Sequence, residues 1–392
     1  MALENNHNFY LPKTNLIGVG AIKDLPNELL PMKLGKALIV TDKNLISLGY
    51  VEQVEKILDN LFISHDVFDG ILHPNPTVSF VEDGLSYCDQ GVLDISRDYS
   101  MIISVGGGTN HDCAKAIATV ATNGGSIIDY EGWNKITKPP VPLIAINTTA
   151  GSGAELTMTA IITDESRKVK MTISSPLMTP YISVNDPLFM SSMPREVTAT
   201  SGIDVISHAI EAFVSTEASP TTDALALGAL EIVFEYLPRA YENGYDLEAR
   251  EKMMYASFMA ASAFNSAGLG YVHALAHQLG GHYSTIHGNN NSVLIPHVLE
   301  FNAPSIPEQR LIKICETLHK TAHNRSEAVD IFSQSFMELA STVGLPLRLR
   351  ELGVQYQDIE TMSQNALKDI VCLTNPRKGY LEEVMAIYEQ AM

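Results

Sequence analysis

Two hydrophobic patterns succeed each other along the chain. Up to about residue 190, short apolar runs alternate with segments of helical spacing. KALIVTD (36–42), HDVFDG (65–70), MIISVGGG (101–108) and VPLIAIN (141–147) are brief, rich in Val and Ile, and bounded by Gly, Pro, Asp or Asn. Those features predict strands. YVEQVEKILDNLF (50–62) and SFVEDGLSYCDQ (79–90) repeat their apolar positions at three and four residues, which predicts helices. Strands that stay apolar on both faces and alternate with helices predict βαβ units around a parallel sheet. TAIITDESRKVKMTIS (159–174) predicts a hairpin with Asp164 to Arg167 at its turn.

Beyond residue 190 the strand signal fades and helical spacing takes over. Ser219-Pro220 reads as an N-cap followed by proline at the first helical position. Asp246 reads as the cap of EAREKMMYASFMAASAF. SEAVDIFSQSFMELAST and GYLEEVMAIYEQAM predict further helices. The expected organisation is an α/β domain over residues 1–189, built on a parallel sheet of the Rossmann type, and an all-α domain over residues 190–392. FYLPKTNLIGVG, near the start, reads as an edge strand able to pair with a second copy.

Composition narrows the class. The chain has 392 residues, 45% of them hydrophobic and 18% charged, which suits a large folded core. A formal net charge of −19 argues against nucleic acid as a partner, because phosphates are repelled. No apolar run is long enough to predict a membrane span. Cys88, Cys113, Cys315 and Cys372 are widely spaced and form no CxxC pair, so they are expected to be reduced thiols in a cytoplasmic protein. No secretory leader is expected at MALENNHNF.

Two loops follow successive predicted strands. SVGGGTNHDCAKAIA (104–118) joins a strand to a helix through Gly106, Gly107 and Gly108. Such glycines let the backbone approach a phosphate, and the amides of the following helix then face the anion. Thr109 is placed to cap that helix and to donate to a phosphate. The spacing matches neither GxGxxG nor the Walker A loop. NTTAGSGAE (147–155) supplies a second polar, glycine-bearing loop. Paired loops at strand ends are where open α/β sheets bind ligands. Asp42, at the end of a strand, suits either a ribose hydroxyl or the cap of the helix beginning at Lys43.

HALAHQLGGHYSTIHG (273–288) holds four histidines. Residues four apart on a helix lie about 40° apart, so His273 and His277 share a face. Gly280-Gly281 is expected to end that helix, with His287 on a turn beyond it and His282 poorly placed to share an ion with His273. SGIDVISHAIEA (201–212) adds Asp204 and His208 at the same spacing inside an apolar helix. A buried carboxylate requires a cation or several donors. Asp204, His208, His273 and His287 would make an oxygen-and-nitrogen site for a divalent metal such as Fe, Zn, Mn or Ni. The alternative is a capping aspartate among hydrogen-bonded core histidines. His111 and His297 read as structural.

The motifs FDGILHPNPT, VGGGTNHDCAKAIA, NTTAGSGAE, GIDVISHAIEAFVS, HALAHQLGGHYSTIHG and NPRKG, in this order, resemble the iron-containing (group III) alcohol dehydrogenases nearly end to end. The resemblance implies Asp204, His208, His273 and His287 as metal ligands, with Fe2+ the expected ion. It implies His277 as a residue beside substrate and nicotinamide. It also implies NAD as cofactor, with Gly107, Gly108 and Thr109 on the pyrophosphate, Thr148 and Thr149 along the cofactor, and Asn75 and Lys170 at further cofactor positions. Asp42 matches the position that favours NAD over NADP. A homo-oligomer and a small alcohol or aldehyde substrate follow from the same resemblance. Thr109 stands where serine is usual. His282, Asn289 and Asn290 replace less polar residues and are expected to bring polar groups near the metal. Related architectures include glycerol dehydrogenases and dehydroquinate synthases, which NADH formation on simple alcohols would separate. A decayed relative would bind cofactor and metal without turnover.

Overall fold

A computed structural model describes residues 6–88 and 99–392 of the chain. Two compact units are present. One is Tyr10–Met193; the other is Pro194–Met392 together with residues 6–9. His7 Nδ1, for instance, lies 4.0 Å from Glu217 in the helical unit.

Among the described residues, the first unit holds nine strands and five α-helices. The strands are β1 (Thr14–Ile17), β2 (Ala37–Val40), β3 (His65–Phe68), β4 (Met101–Gly106), β5 (Gly132–Trp133), β6 (Leu143–Asn147), β7 (Thr159–Asp164), β8 (Val169–Ser174) and β9 (Ile182–Asn185). The helices are α1 (Leu25–Leu29), α2 (Lys43–Ser47), α3 (Tyr50–Asn60), α4 (Val78–Leu85) and α5 (Gly108–Asn123). The helix expected over 79–90 stops at Leu85, and residues 86–88 turn away from it; residues 89 and 90 lie outside the described residues. Six strands form one wholly parallel sheet in the order β1-β9-β6-β4-β2-β3. The hairpin β7–β8 stands apart, with β5 added in parallel to β8.

The apolar runs become strands because both faces of the sheet are covered. Ala37, Ile39, Met101 and Ile103 point to one face, where Val51, Val54 and Leu58 of α3 bury them. Leu38, Val40 and Ile102 point to the other, against Ile117 and Val120 of α5 and Phe80 of α4. Each such Leu, Ile or Phe contributes about 1.5–3 kcal/mol on full burial. β1 is an edge strand of this sheet. It pairs in register with β9 of its own sheet, Thr14 opposite Ile182. The order of the strands reverses between β2 and β4, and the loops leaving those two strands carry Asp42 and the glycines. That reversal is where open parallel sheets bind ligands.

The second unit contains α6 (Arg195–Val214), α7 (Pro220–Glu242), α8 (Leu247–Ala267), α9 (Tyr271–Tyr283), α10 (His287–Asn302), α11 (Glu308–Thr317), α12 (Arg325–Thr342), α13 (Ile359–Ala366) and α14 (Leu381–Ala391). Ser219 caps α7 from just before Pro220, and Asp246 caps α8 by accepting the Ala249 amide at 3.0 Å. Helix α6 is buried along most of its length from Thr198 onward, so its polar residues face protein and not water.

Two expectations fail here. The glycine pair does not end α9, which continues to Tyr283 and stops where Ser284 turns left-handed at φ 55°. Two glycines cost a helix about 1 kcal/mol each relative to alanine, and the packing of α9 among α10 and α13 outweighs that. His287 is not on a turn; it is the first residue of α10.

Candidate metal centre and cofactor loops

Three helices bring four side chains together. Asp204 and His208 stand one turn apart on α6, His273 projects from the first turn of α9, and His287 opens α10. Asp204 Oδ1 lies 3.6 Å from His208 Nε2, 3.7 Å from His273 Nε2 and 3.4 Å from His287 Nε2. These distances are too long for hydrogen bonds. Donors about 2.1 Å from one shared ion in tetrahedral array stand about 3.4 Å apart, which matches this spacing. The ligand atoms of Asp204, His208 and His273 all fall within 4.8 Å of one another.

The protonation pattern fits a cation. Glu211, one turn beyond His208, accepts from His273 Nδ1 at 2.6 Å and from the Val272 amide at 2.6 Å. A carboxylate only accepts, so His273 carries a hydrogen on Nδ1 and turns its buried Nε2 toward Asp204, where a metal can take the place of a second proton. That Nε2 makes no hydrogen bond. A metal-binding histidine is typically fixed in this way. Burial alone pushes the Asp204 carboxyl up, but the surrounding histidines outweigh it and hold the group well below the usual carboxylate range. Burial pushes His273 down, and Asp204 and Glu211 overcome that, raising it to about 9. Two buried carboxylates therefore demand positive charge at this spot, from a proton or from a metal.

The asparagine that touches the set is neither Asn289 nor Asn290. Asn291 places Nδ2 2.9 Å from Asp204 Oδ1, 3.0 Å from Ser207 Oγ and 3.3 Å from His287 Nε2. Asn290 instead spans to the Ala276 carbonyl of α9 at 3.1 Å. His282 faces Asp358 at 3.6 Å. His277 lies near the set, its ring centroid 6.2 Å from that of His273 and 5.8 Å from that of His287. Its Nδ1 is 2.7 Å from Asp369 Oδ2.

The start of α9 has no side-chain cap of its own. Asn375, from NPRKG, accepts the Tyr271 amide at 3.1 Å, and Glu211 accepts the next one. Gly270 leaves room for this: a Cβ there would stand 2.5 Å from Asn375 Oδ1 and 2.9 Å from Glu211 Oε1. Glu211 was open to the argument applied to Asp204, being a carboxylate on the same apolar helix. Asp369 and Asn375 carry no local signal, because their partners lie about a hundred residues away in sequence.

In the other unit, Asp42 does cap α2, its Oδ1 accepting from Asn44 N at 2.9 Å and Leu45 N at 3.2 Å, while Oδ2 accepts from Asn110 of α5 at 3.1 Å. The loops after β2 and β4 are thereby tied together. The cap position of α5 is Gly107, not Thr109, which lies inside the first turn. No side chain caps this end, so its amides suit an anion. A Cβ on Gly107 would sit 2.8 Å from Thr149, and one on Gly108 2.7 Å from Ser152. Thr148 N donates to Gly106 O at 2.9 Å, so the two loops interlock. Lys170 Nζ donates to Asn75 Oδ1 at 2.6 Å, with Asn75 left-handed at φ 68°. His111 is a buried structural residue bonded to Ser104 at 2.9 Å, and burial pushes it down to about 3. Burial also lowers His297. None of the four cysteines is joined in a disulfide. Among the described residues, no helix is long and apolar enough to cross a membrane.

The chain is similar to known proteins over nearly its whole length. The family model described as iron-containing alcohol dehydrogenase matches residues 12–187, and its C-terminal companion matches residues 198–392. Alcohol dehydrogenase 4 of Schizosaccharomyces pombe is 44% identical over 385 residues, covering 98% of this chain and 89% of that protein. The NAD-dependent methanol dehydrogenase of Bacillus methanolicus is 41% identical over 388 residues, covering 98% and 100%. The crystal structure of a 1,3-propanediol oxidoreductase superposes with a TM-score of 0.92 at 39% identity, covering 99% of this chain and 100% of that one.

Proposed function

The chain belongs to the iron-containing alcohol dehydrogenase family, whose NAD-linked members are alcohol oxidoreductases, and on that premise we propose which residues do the work and on what. Asp204, His208, His273 and His287 hold one divalent ion, Fe2+ by preference. Gly107, Gly108 and Thr109 take the pyrophosphate of NAD, Thr148 and Thr149 line the cofactor, Asn75 and Lys170 contact it, and Asp42 disfavours a 2′-phosphate. The substrate is a small primary alcohol or diol of the 1,3-propanediol kind. The fixed His273 ring, with Nδ1 held by Glu211 and Nε2 facing Asp204, is the observation that carries the reading.

When bound, the ion would act as a Lewis acid on the alcohol oxygen, favouring its loss of a proton. The chain does the rest. The glycine loop and α5 orient the cofactor for hydride transfer from the carbinol carbon to nicotinamide C4. His277 takes the hydroxyl proton. Glu211 and Asn375 hold α9 and its histidines in place. Free cysteines suit a cytoplasmic setting, and a homo-oligomer belongs to the same reading.

The test is metal analysis of protein purified without chelator, with NADH formation from 1,3-propanediol before and after stripping. About one ion per chain, with activity lost on stripping and restored by iron, supports the assignment. Activity indifferent to metal refutes it.

A further inference from the structure

His277 has a partner that the reaction needs and that no motif announced. Its Nδ1 is 2.7 Å from Asp369 Oδ2, and the other oxygen, Oδ1, accepts the Val371 amide at 3.2 Å. Both side chains are nearly closed to solvent, 4% exposed for His277 and 6% for Asp369. Asp369 caps the short 3-10 turn Ile370–Thr374, so its orientation is set by backbone and not by the histidine alone. A carboxylate offers no hydrogen to Nδ1. The proton of neutral His277 therefore sits on Nδ1, and the lone pair sits on Nε2.

We propose that Asp369 is a positioning residue that fixes His277 as the proton acceptor for the alcohol hydroxyl, acting through Nε2. The proposal rests on the reading above and deepens it. In the step concerned, the O–H bond of the alcohol breaks and its proton joins His277 Nε2. The carbinol C–H bond breaks and its electron pair forms the new C–H bond at nicotinamide C4, reducing NAD and leaving an aldehyde. His277 is then an imidazolium beside the Asp369 carboxylate, which stabilises it until the proton passes to water. The same division of labour serves any histidine base oriented by a buried carboxylate.

The discriminating variant is Asp369→Asn. Because the Val371 amide needs an acceptor, the asparagine oxygen must stay on that side, which turns the NH2 toward His277 Nδ1. The ring is driven to carry its hydrogen on Nε2, and the acceptor is lost although size and burial are unchanged. The assay is single-turnover NADH formation from an alcohol that the wild type oxidises, alongside KM, metal content and NAD binding. Expected is a fall of about 10²-fold or more in the hydride-transfer rate, the scale of a lost general base. Metal content and NAD binding should stay within about twofold, a margin that separates the loss of a base from the loss of a ligand. Asp369→Glu, which keeps a carboxylate, should recover part of the rate. In a His277→Ala background, Asp369→Asn should change nothing further, since its whole effect passes through the ring. An unchanged rate in Asp369→Asn, loss of metal in that variant, or a further fall in the His277→Ala background would each overturn the assignment. Wild-type protein that oxidises no alcohol would overturn the parent reading and this one with it, a result distinct from the other three.

Discussion

Gly288 offers a sharp test of whether the geometry at the metal centre matters. It follows His287 in the first turn of α10, where that helix lies against α6. A Cβ at this position would stand 2.6 Å from both the carbonyl carbon and the Cα of Thr200. Carbon atoms in contact sit about 3.5–4.0 Å apart, so Gly288→Ala falls short by at least about 0.9 Å. Both sides of the clash are helix backbone, and no side chain can swing away. The start of α10 must withdraw from α6 by roughly that amount. His287 Nε2, now 3.4 Å from Asp204 Oδ1, goes with it. Disturbing the support that orients a metal ligand costs about 10–100-fold in metal affinity, and overpacking adds about 1–3 kcal/mol of instability. Zinc titrated into the metal-free protein should bind about 10–100-fold more weakly to the variant than to the wild type. Far-ultraviolet circular dichroism would confirm that both are folded. A folded Gly288→Ala protein with zinc affinity within about twofold of the wild type would refute the argument, because the backbone contact would then not hold His287 in place.

Three further outcomes follow from other contacts. Glu211→Gln keeps an oxygen for the Val272 amide and turns its NH2 toward His273 Nδ1, moving the ring hydrogen onto Nε2; zinc affinity should fall about 10–100-fold with little change in fold, and unchanged affinity in titration would count against the tautomer argument. Asp42→Ala removes the cap of α2, costing about 1 kcal/mol in urea unfolding, and should raise the use of NADP relative to NAD; a fixed NADP to NAD ratio in kcat/KM would show that Asp42 is a cap and nothing more. His111 has a folded-state pKa of about 3 against an ordinary value of 6.5, so below pH 6.5 the unfolded chain binds a proton that the folded chain refuses. Its contribution to stability is complete above pH 6.5 and is lost as pH falls toward 3, at about 1.4 kcal/mol per unit. Between pH 6.5 and 5, wild type should therefore lose about 2 kcal/mol relative to His111→Asn, and parallel urea midpoints for the two proteins would contradict this.

The strands β2, β4 and β6 were legible because double burial writes an apolar run that little else produces. β9 was not, because two of its four residues are polar and buried. Ser183 donates to Asn15 at 2.7 Å, and Asn185 accepts from Asn147 at 2.9 Å, pairings that a hydropathy pattern cannot contain. That Asp204, His208, His273 and His287 come together was legible from spacing within two segments, since a buried aspartate one turn from a histidine demands an explanation. The extension of α9 through Gly280-Gly281 was not, because tertiary packing decided against a local propensity. Nor were the roles of Asp369 and Asn375, whose meaning lies wholly in where the chain returns.

That return has a consequence for how the molecule is made. Helix α9 is secured by the segment near the end of this sequence. His277 bonds to Asp369, the Tyr271 amide to Asn375, the Tyr271 hydroxyl to the Gly379 amide at 2.9 Å, and the Leu275 carbonyl to Tyr388 at 2.8 Å. Asn375 is synthesised 104 positions after Tyr271. At 5–20 residues per second, that is a delay of roughly 5–20 s. For that interval α9 has left the ribosome without the groups that orient its histidines. Until that later segment docks, the start of α9 and the His277 ring lack the contacts that hold them.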